Sequence, residues 1–132
     1  MYITVDNNKL AFINVCENEF TIATENRGGC NPLNPIKQYY DIKEVKQNAD
    51  YVFIIVHGGH EYCQQPSIRM KKTYRFFIDA GADMVLNHHQ HCFCEYEIYK
   101  SKPIFYGLGN YCFGEGLDRP ITWFYAMVLS WF

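Results

Sequence analysis

Residues 51–86, YVFIIVHGGHEYCQQPSIRMKKTYRFFIDAGADMVL, decide the fold. Tyr51 to Val56 is an unbroken β-branched and aromatic run, the pattern of a strand buried on both faces. A loop from His57 to Gln65 follows. Pro66-Ser67 then opens a helix on which Met70, Tyr74, Phe77 and Ile78 recur at i, i+4, i+7 and i+8, with Gly81 as its stop. Asp83 to Leu86 is a second short apolar strand. Strand, helix and strand at this spacing make one βαβ unit, Tyr51 to Leu86, with parallel strands and a right-handed crossover. The fold class is therefore α/β.

Outward from this unit the signals weaken. Tyr2 to Val5 and Lys9 to Val15 are rich in strand formers and flank Asp6-Asn7-Asn8, whose side chains tolerate left-handed backbone, so a hairpin is expected. Glu25 to Pro35 collects Gly, Asn and Pro and reads as a surface loop. A short helix should follow, with Ile42, Val45 and Ala49 on one side. Downstream, Phe93 to Tyr99 and Ile104 to Tyr106 read as strands joined by a turn at Lys100 to Pro103, and Trp123 to Phe132 as a last strand.

Composition removes several classes of function. The 132 residues suffice for one domain or part of one, and 48% hydrophobic with 17% aromatic side chains rules out a disordered chain. A net charge of −2 gives no footprint for nucleic acid or an anionic membrane surface. No apolar run approaches the roughly 20 residues needed to span a bilayer. The N-terminus MYITVDNNKL lacks both the basic and the apolar regions of a secretory signal, which makes the cytoplasm the expected compartment. In that compartment the six cysteines are expected as free thiols.

The chemistry follows from the topology. Residues just past the C-terminal ends of parallel strands emerge side by side on one sheet edge, where ligands bind. His57 follows the first strand, and Asn87-His88-His89-Gln90-His91 follows the second, so with His60 all five histidines gather there. An extended His89-Gln90-His91 would point both imidazoles the same way, and His57 would complete a trio of metal ligands. Three imidazoles suit Zn, Mn, Fe or Ni better than Ca or Mg. Cys92 and Cys94 have the opposite parity and would face away, against a Cys/His zinc knuckle. Gly107-Leu108-Gly109-Asn110 lacks the remaining residues of a phosphate loop and reads as a turn presenting Asn110.

His57-Gly58-Gly59-His60-Glu61-Tyr62, Phe76 to Asp83, Asn87 to His91 and Lys102 to Tyr111 together resemble the CapA family of poly-gamma-glutamate capsule biosynthesis proteins. That family is similar to the calcineurin-like metallophosphoesterases. The resemblance implies part of a β-sandwich flanked by helices with two metals at the strand ends, and it implies His57, His89 and His91 as metal ligands. It also implies supporting, catalytic-type positions at Glu61 and Asn110. His60, on the same loop, is a candidate for proton transfer or oxyanion stabilisation. Gly58 stands where the family often has Trp, and Asn87 where it often has Gly before the histidines.

The family's N-terminal acidic and Asn-His blocks have no match here, since Asp6, Asp41 and Asp50 lie in turn or helix contexts. Residues 1–132 are therefore expected to be the C-terminal half of a CapA-like metallophosphatase domain, with no second domain. Half of a dinuclear site for phosphoester-type hydrolysis is expected, holding at most one divalent metal (Mn, Zn or Fe) where the complete domain holds two. The alternative is a non-catalytic accessory module that binds one metal or none. An apolar face with Leu10, Phe12, Phe105, Trp123 and Tyr125 should meet the missing half or a second copy of the chain.

Overall fold

The computed structural model describes residues 1–17 and 22–110. Its elements are β1 (Tyr2–Val5), β2 (Asn8–Cys16), α1 (Pro35–Lys46), β3 (Tyr51–His57), α2 (Ile68–Ala80), β4 (Met84–His88), β5 (Tyr96–Tyr99) and β6 (Lys102–Phe105). They form one six-stranded sheet in the order β1-β2-β3-β4-β6-β5. The four inner strands are parallel, and the antiparallel β1 and β5 close the edges.

The expected βαβ unit is present, and so is a second. Chain segment β2-α1-β3 is another parallel crossover, with Leu10 to Cys16 in register with Tyr51 to His57. Both crossovers step the same way along the sheet, so their helices fall on one face and pack against each other. Beneath them lie Ala11, Val15, Val52, Ile54, Val56, Val85 and Ile104, all buried, against Ile42 of α1 and Met70, Tyr74, Phe77 and Ile78 of α2. The four α2 residues are those that its periodicity singles out.

Local chemistry sets the helix ends. The Asn34 side chain accepts hydrogen bonds from Ile36 and Lys37 N–H, and Pro35 opens α1 with its missing donor at a position that needs none. Ser67 Oγ accepts from Met70 N–H at 3.2 Å to cap α2. Gly81, at φ 122°, ends it with its own N–H on Ile78 and that of Ala82 on Phe77.

Three sequence expectations change. The strand expected over Phe93 to Tyr99 is regular only from Tyr96, because buried Cys92 and Cys94 draw the preceding backbone into bonds with Gly107 and Gln64. The turn is tighter than expected: Lys100 and Ser101 alone take positive φ, and Pro103 lies within β6 opposite Ile98. The extended His89-Gln90-His91 is absent, since β4 stops at His88 and both His89 (φ 128°) and His91 (φ 57°) are left-handed. The last strand, Trp123 to Phe132, lies outside the described residues.

No described element packs on the other sheet face. Register places Ile3, Leu10 and Tyr51 on it, then Phe12, Phe53 and Met84, then Ile55, Leu86, Phe105 and Tyr96. Phe12 stacks on Phe53 at 5.2 Å between ring centroids, and Tyr96 on Phe105 at 5.9 Å. No described helix is long and apolar enough to cross a membrane.

Candidate metal centre

All four parallel strands end at the same edge. Cross-strand register there pairs Cys16 with His57 and His57 with His88, so one row of side chains runs across three strands. The loop after β3 brings His60 and Glu61, the turn after β4 brings His89 and His91, and the turn after β6 brings Asn110.

Glu61, His89 and His91 converge, each offering a ligand atom within 4.8 Å of the others'. His91 Nε2 lies 4.0 Å from Glu61 Oε1. Asn110 settles the tautomer of His91. Its amide nitrogen donates to the His91 carbonyl at 3.3 Å, which fixes the amide's orientation, and its Oδ1 lies 2.9 Å from His91 Nδ1. An oxygen acceptor requires the proton on Nδ1, so Nε2 is the ring nitrogen turned toward Glu61. Two imidazoles and a carboxylate in this arrangement fit a divalent transition metal.

His57 stands between this set and another histidine. Its ring centroid is 4.9 Å from that of His89, while its Nδ1 is 2.9 Å from Nδ1 of His88. Burial, and then the proximity of His57 and His89, hold the His88 pKa below its ordinary value. His88 is therefore a neutral imidazole near pH 7. His60 is exposed and takes no part in the converging set, its carbonyl accepting from Cys63 N–H.

Gln90 explains how a non-extended segment still presents His89 and His91 together. Its side chain is buried in a slot between Gly59 and Gly107, where a methyl on Gly59 would overlap its Nε2. Asn87 Nδ2 donates to Gln90 Oε1 at 3.0 Å, to the Gly58 carbonyl at 2.9 Å and to that of Tyr106 at 2.7 Å. The Gln90 carbonyl accepts from Tyr62 N–H at 2.8 Å. With Gln90 driven inward, its two neighbours are turned out.

Glu17 also supports the site, and the sequence reading passed it over. Its Oε2 accepts from Gly59 N–H at 3.1 Å, its Oε1 from Arg69 Nη2 at 2.6 Å, and its own N–H bonds the His57 carbonyl at 3.1 Å. The carboxylate lies against Gly58, where a Cβ would overlap it. The signal was present in the strand-helix-strand pattern from Lys9 to Val56, which implies that Cys16-Glu17 and His57-Gly58 end side by side.

The five described cysteines are free thiols. Burial, and then the Cys30 thiol hydrogen-bonded to it, raise the pKa of Cys16 to about 11. Cys92 and Cys94 are buried and take no part in the converging Glu61, His89 and His91 set.

With this geometry in place, comparison with known proteins identifies the family. The family model for the bacterial capsule synthesis protein PGA_cap matches residues 1–115. The chain belongs to the PGA_cap family. Over 102 residues it is 39% identical to the capsule biosynthesis protein CapA of Bacillus anthracis, an alignment covering 74% of this chain and 25% of that protein. Over 110 residues it is 37% identical to the PGA biosynthesis protein CapA of Bacillus subtilis strain 168, covering 83% of this chain and 29% of that one. The chain thus spans about a quarter of the length of these PGA_cap relatives.

Proposed function

We propose that the chain carries part of a metal-dependent phosphoester-type hydrolase site belonging to a larger capsule-synthesis protein. The observation that carries this reading is the convergence of Glu61, His89 and His91 at the C-terminal edge of a parallel sheet. A divalent ion held there, with His57 beside it, would supply Lewis acidity toward a phosphoryl oxygen. The chain's own residues do the remaining work. Asn110 keeps the proton on the far nitrogen of His91, Gln90 turns both imidazoles outward, and Glu17 holds the loop that carries His57 and Glu61. His60, exposed on that loop, is the candidate for proton transfer or oxyanion stabilisation.

The set includes one carboxylate and lacks a second acidic cluster among the described residues. Turnover by this chain alone is therefore expected near background, the remaining ligands coming from the rest of a complete capsule protein. That partner, or a second copy of the chain, would cover the apolar sheet face around Phe12 and Phe105. The same single set also favours a second reading, a non-catalytic metal-binding module.

Calorimetry with Mn tests the proposal. One ion should bind, and His89→Ala should weaken it about tenfold or more through loss of an imidazole ligand. Unchanged affinity in His89→Ala overturns the ligand assignment. Metal-dependent release of nitrophenol from a phosphoester, abolished by His57→Ala, would show that the chain needs no partner for catalysis.

A further inference from the structure

We propose that Cys16, Cys30, His57 and His88 form a second, softer metal site for a thiophilic divalent ion such as zinc, distinct from the Glu61, His89 and His91 set. The backbone lines these groups up. Cys16, His57 and His88 are cross-strand partners on β2, β3 and β4, so their side chains leave the same sheet face about 4.8 Å apart. The loop bearing Cys30 is fastened alongside β2. Cys16 N–H donates to the Asn31 carbonyl at 2.9 Å, Leu33 N–H to that of Cys16 at 2.7 Å, and Asn31 Nδ2 to that of Asn14 at 2.9 Å. The two thiols are close enough for Cys30 to raise the pKa of Cys16.

These four residues line a single cavity of about 460 Å³, large enough for an ion and its remaining water. The His57 and His88 Nδ1 atoms, on neighbouring strands, lie 2.9 Å apart beside this cavity. Modest side-chain rotation into the cavity would bring two sulfurs and two nitrogens to distances of about 2.3 and 2.0 Å from an ion, with both thiol protons released to solvent. A set without carboxylate, half of it thiolate, selects zinc over Mn or Mg, whereas the neighbouring carboxylate-bearing set is the harder of the two. The chain then carries two sites of different softness, where its sequence suggests at most one ion.

Cobalt(II) reports the difference, because thiolate ligands give near-ultraviolet charge-transfer absorption and imidazole or carboxylate ligands do not. Titration of the full chain, held reduced by a phosphine, should develop that absorption to saturation at one equivalent, and zinc should displace it. Cys30 is exposed, so Cys30→Ser should fold normally. It should halve the charge-transfer intensity and weaken the site about tenfold or more. His91→Ala should leave the absorption unchanged. Cobalt binding without charge transfer, or full intensity retained in Cys30→Ser, overturns the proposal. Loss of all cobalt binding in Cys30→Ser would instead retire the imidazole-carboxylate reading and leave this one standing.

Discussion

The two ends of the parallel sheet are built on opposite rules. At the end where the strands begin, Asp83 bolts three elements together. Its carboxylate accepts from Val52 N–H at 2.8 Å, from Lys46 of α1 at 2.7 Å and from Lys102 of β6 at 2.8 Å. Both lysines there meet an opposite charge. At the end where the strands finish, like groups are pressed together: imidazole faces imidazole, thiol faces thiol, and Asn87 Oδ1 is buried without a hydrogen-bond partner among the described residues. Left-handed backbone occurs at both ends, at Asp6, Asn7, Gly81, Lys100 and Ser101 where strands begin and at Gly59, Tyr62, His89, His91 and Gly109 where they finish. Unmatched polarity marks where a sheet is built to bind, and matched charge marks where it is built to hold.

The largest effect that tests this contrast is on stability. Asp83→Asn leaves two half-buried lysines without their counter-charge and should cost about 2–3 kcal/mol in denaturant unfolding, with metal affinity of the folded protein unchanged. Burial opposes ionisation of Asp83, but the bonds from Lys102, Lys46 and Val52 outweigh it and hold its pKa below the ordinary value. The stability it adds is thus full above about pH 4 and is lost as pH falls through the lowered value. An acid-unfolding profile identical in wild type and Asp83→Asn would remove the bolt from the account.

At the other end the order of effects should reverse. Gly59→Ala combines a φ of 103° with a clash on Gln90, and about 2 kcal/mol of destabilisation should come together with loss of metal binding. Metal binding that survives it unharmed would mean that Gln90 does not set the histidines. Asn110→Ala is smaller still: with no acceptor on Nδ1 of His91, affinity should fall about tenfold while the unfolding midpoint barely moves. The mildest probe is chemical. Timed alkylation at pH 8 should modify Cys30 and Cys63 well before Cys16 and Cys94, which are buried and pushed up to about 11. Equal rates would show that the Cys16 environment opens readily.

Much of this was legible in the residues. YVFIIV, the α2 periodicity and Gly81 announce the central unit because burial and backbone sterics act within a few positions. The rule about parallel strand ends then gathers the histidines without knowledge of any contact. Left-handed His89 and His91 escaped because nothing local demands them: Gln90 is pulled inward by Gly59 and Gly107, far away in sequence. Glu17 and Cys30 escaped for a related reason, since each acquires its role only once β2 is laid parallel to β3. Pro103 misled because proline usually marks a turn, and here it occupies the second position of a strand.

The contact between Glu17 and Gly58 carries a consequence for how such sequences can diverge. A bare glycine in this loop and a carboxylate at the end of β2 occupy one shared volume, so neither position is free to drift by itself. A lineage that acquires an indole at the position of Gly58 must first shed the bulk at Glu17, and the reverse path needs the glycine before the acid. Arg69 would follow as the third member, because its counter-charge disappears with Glu17. Related genes should therefore fall into two groups, one with a small residue after the first histidine and an acid-arginine pair, the other with a bulky ring and neither, and intermediates between them should be rare.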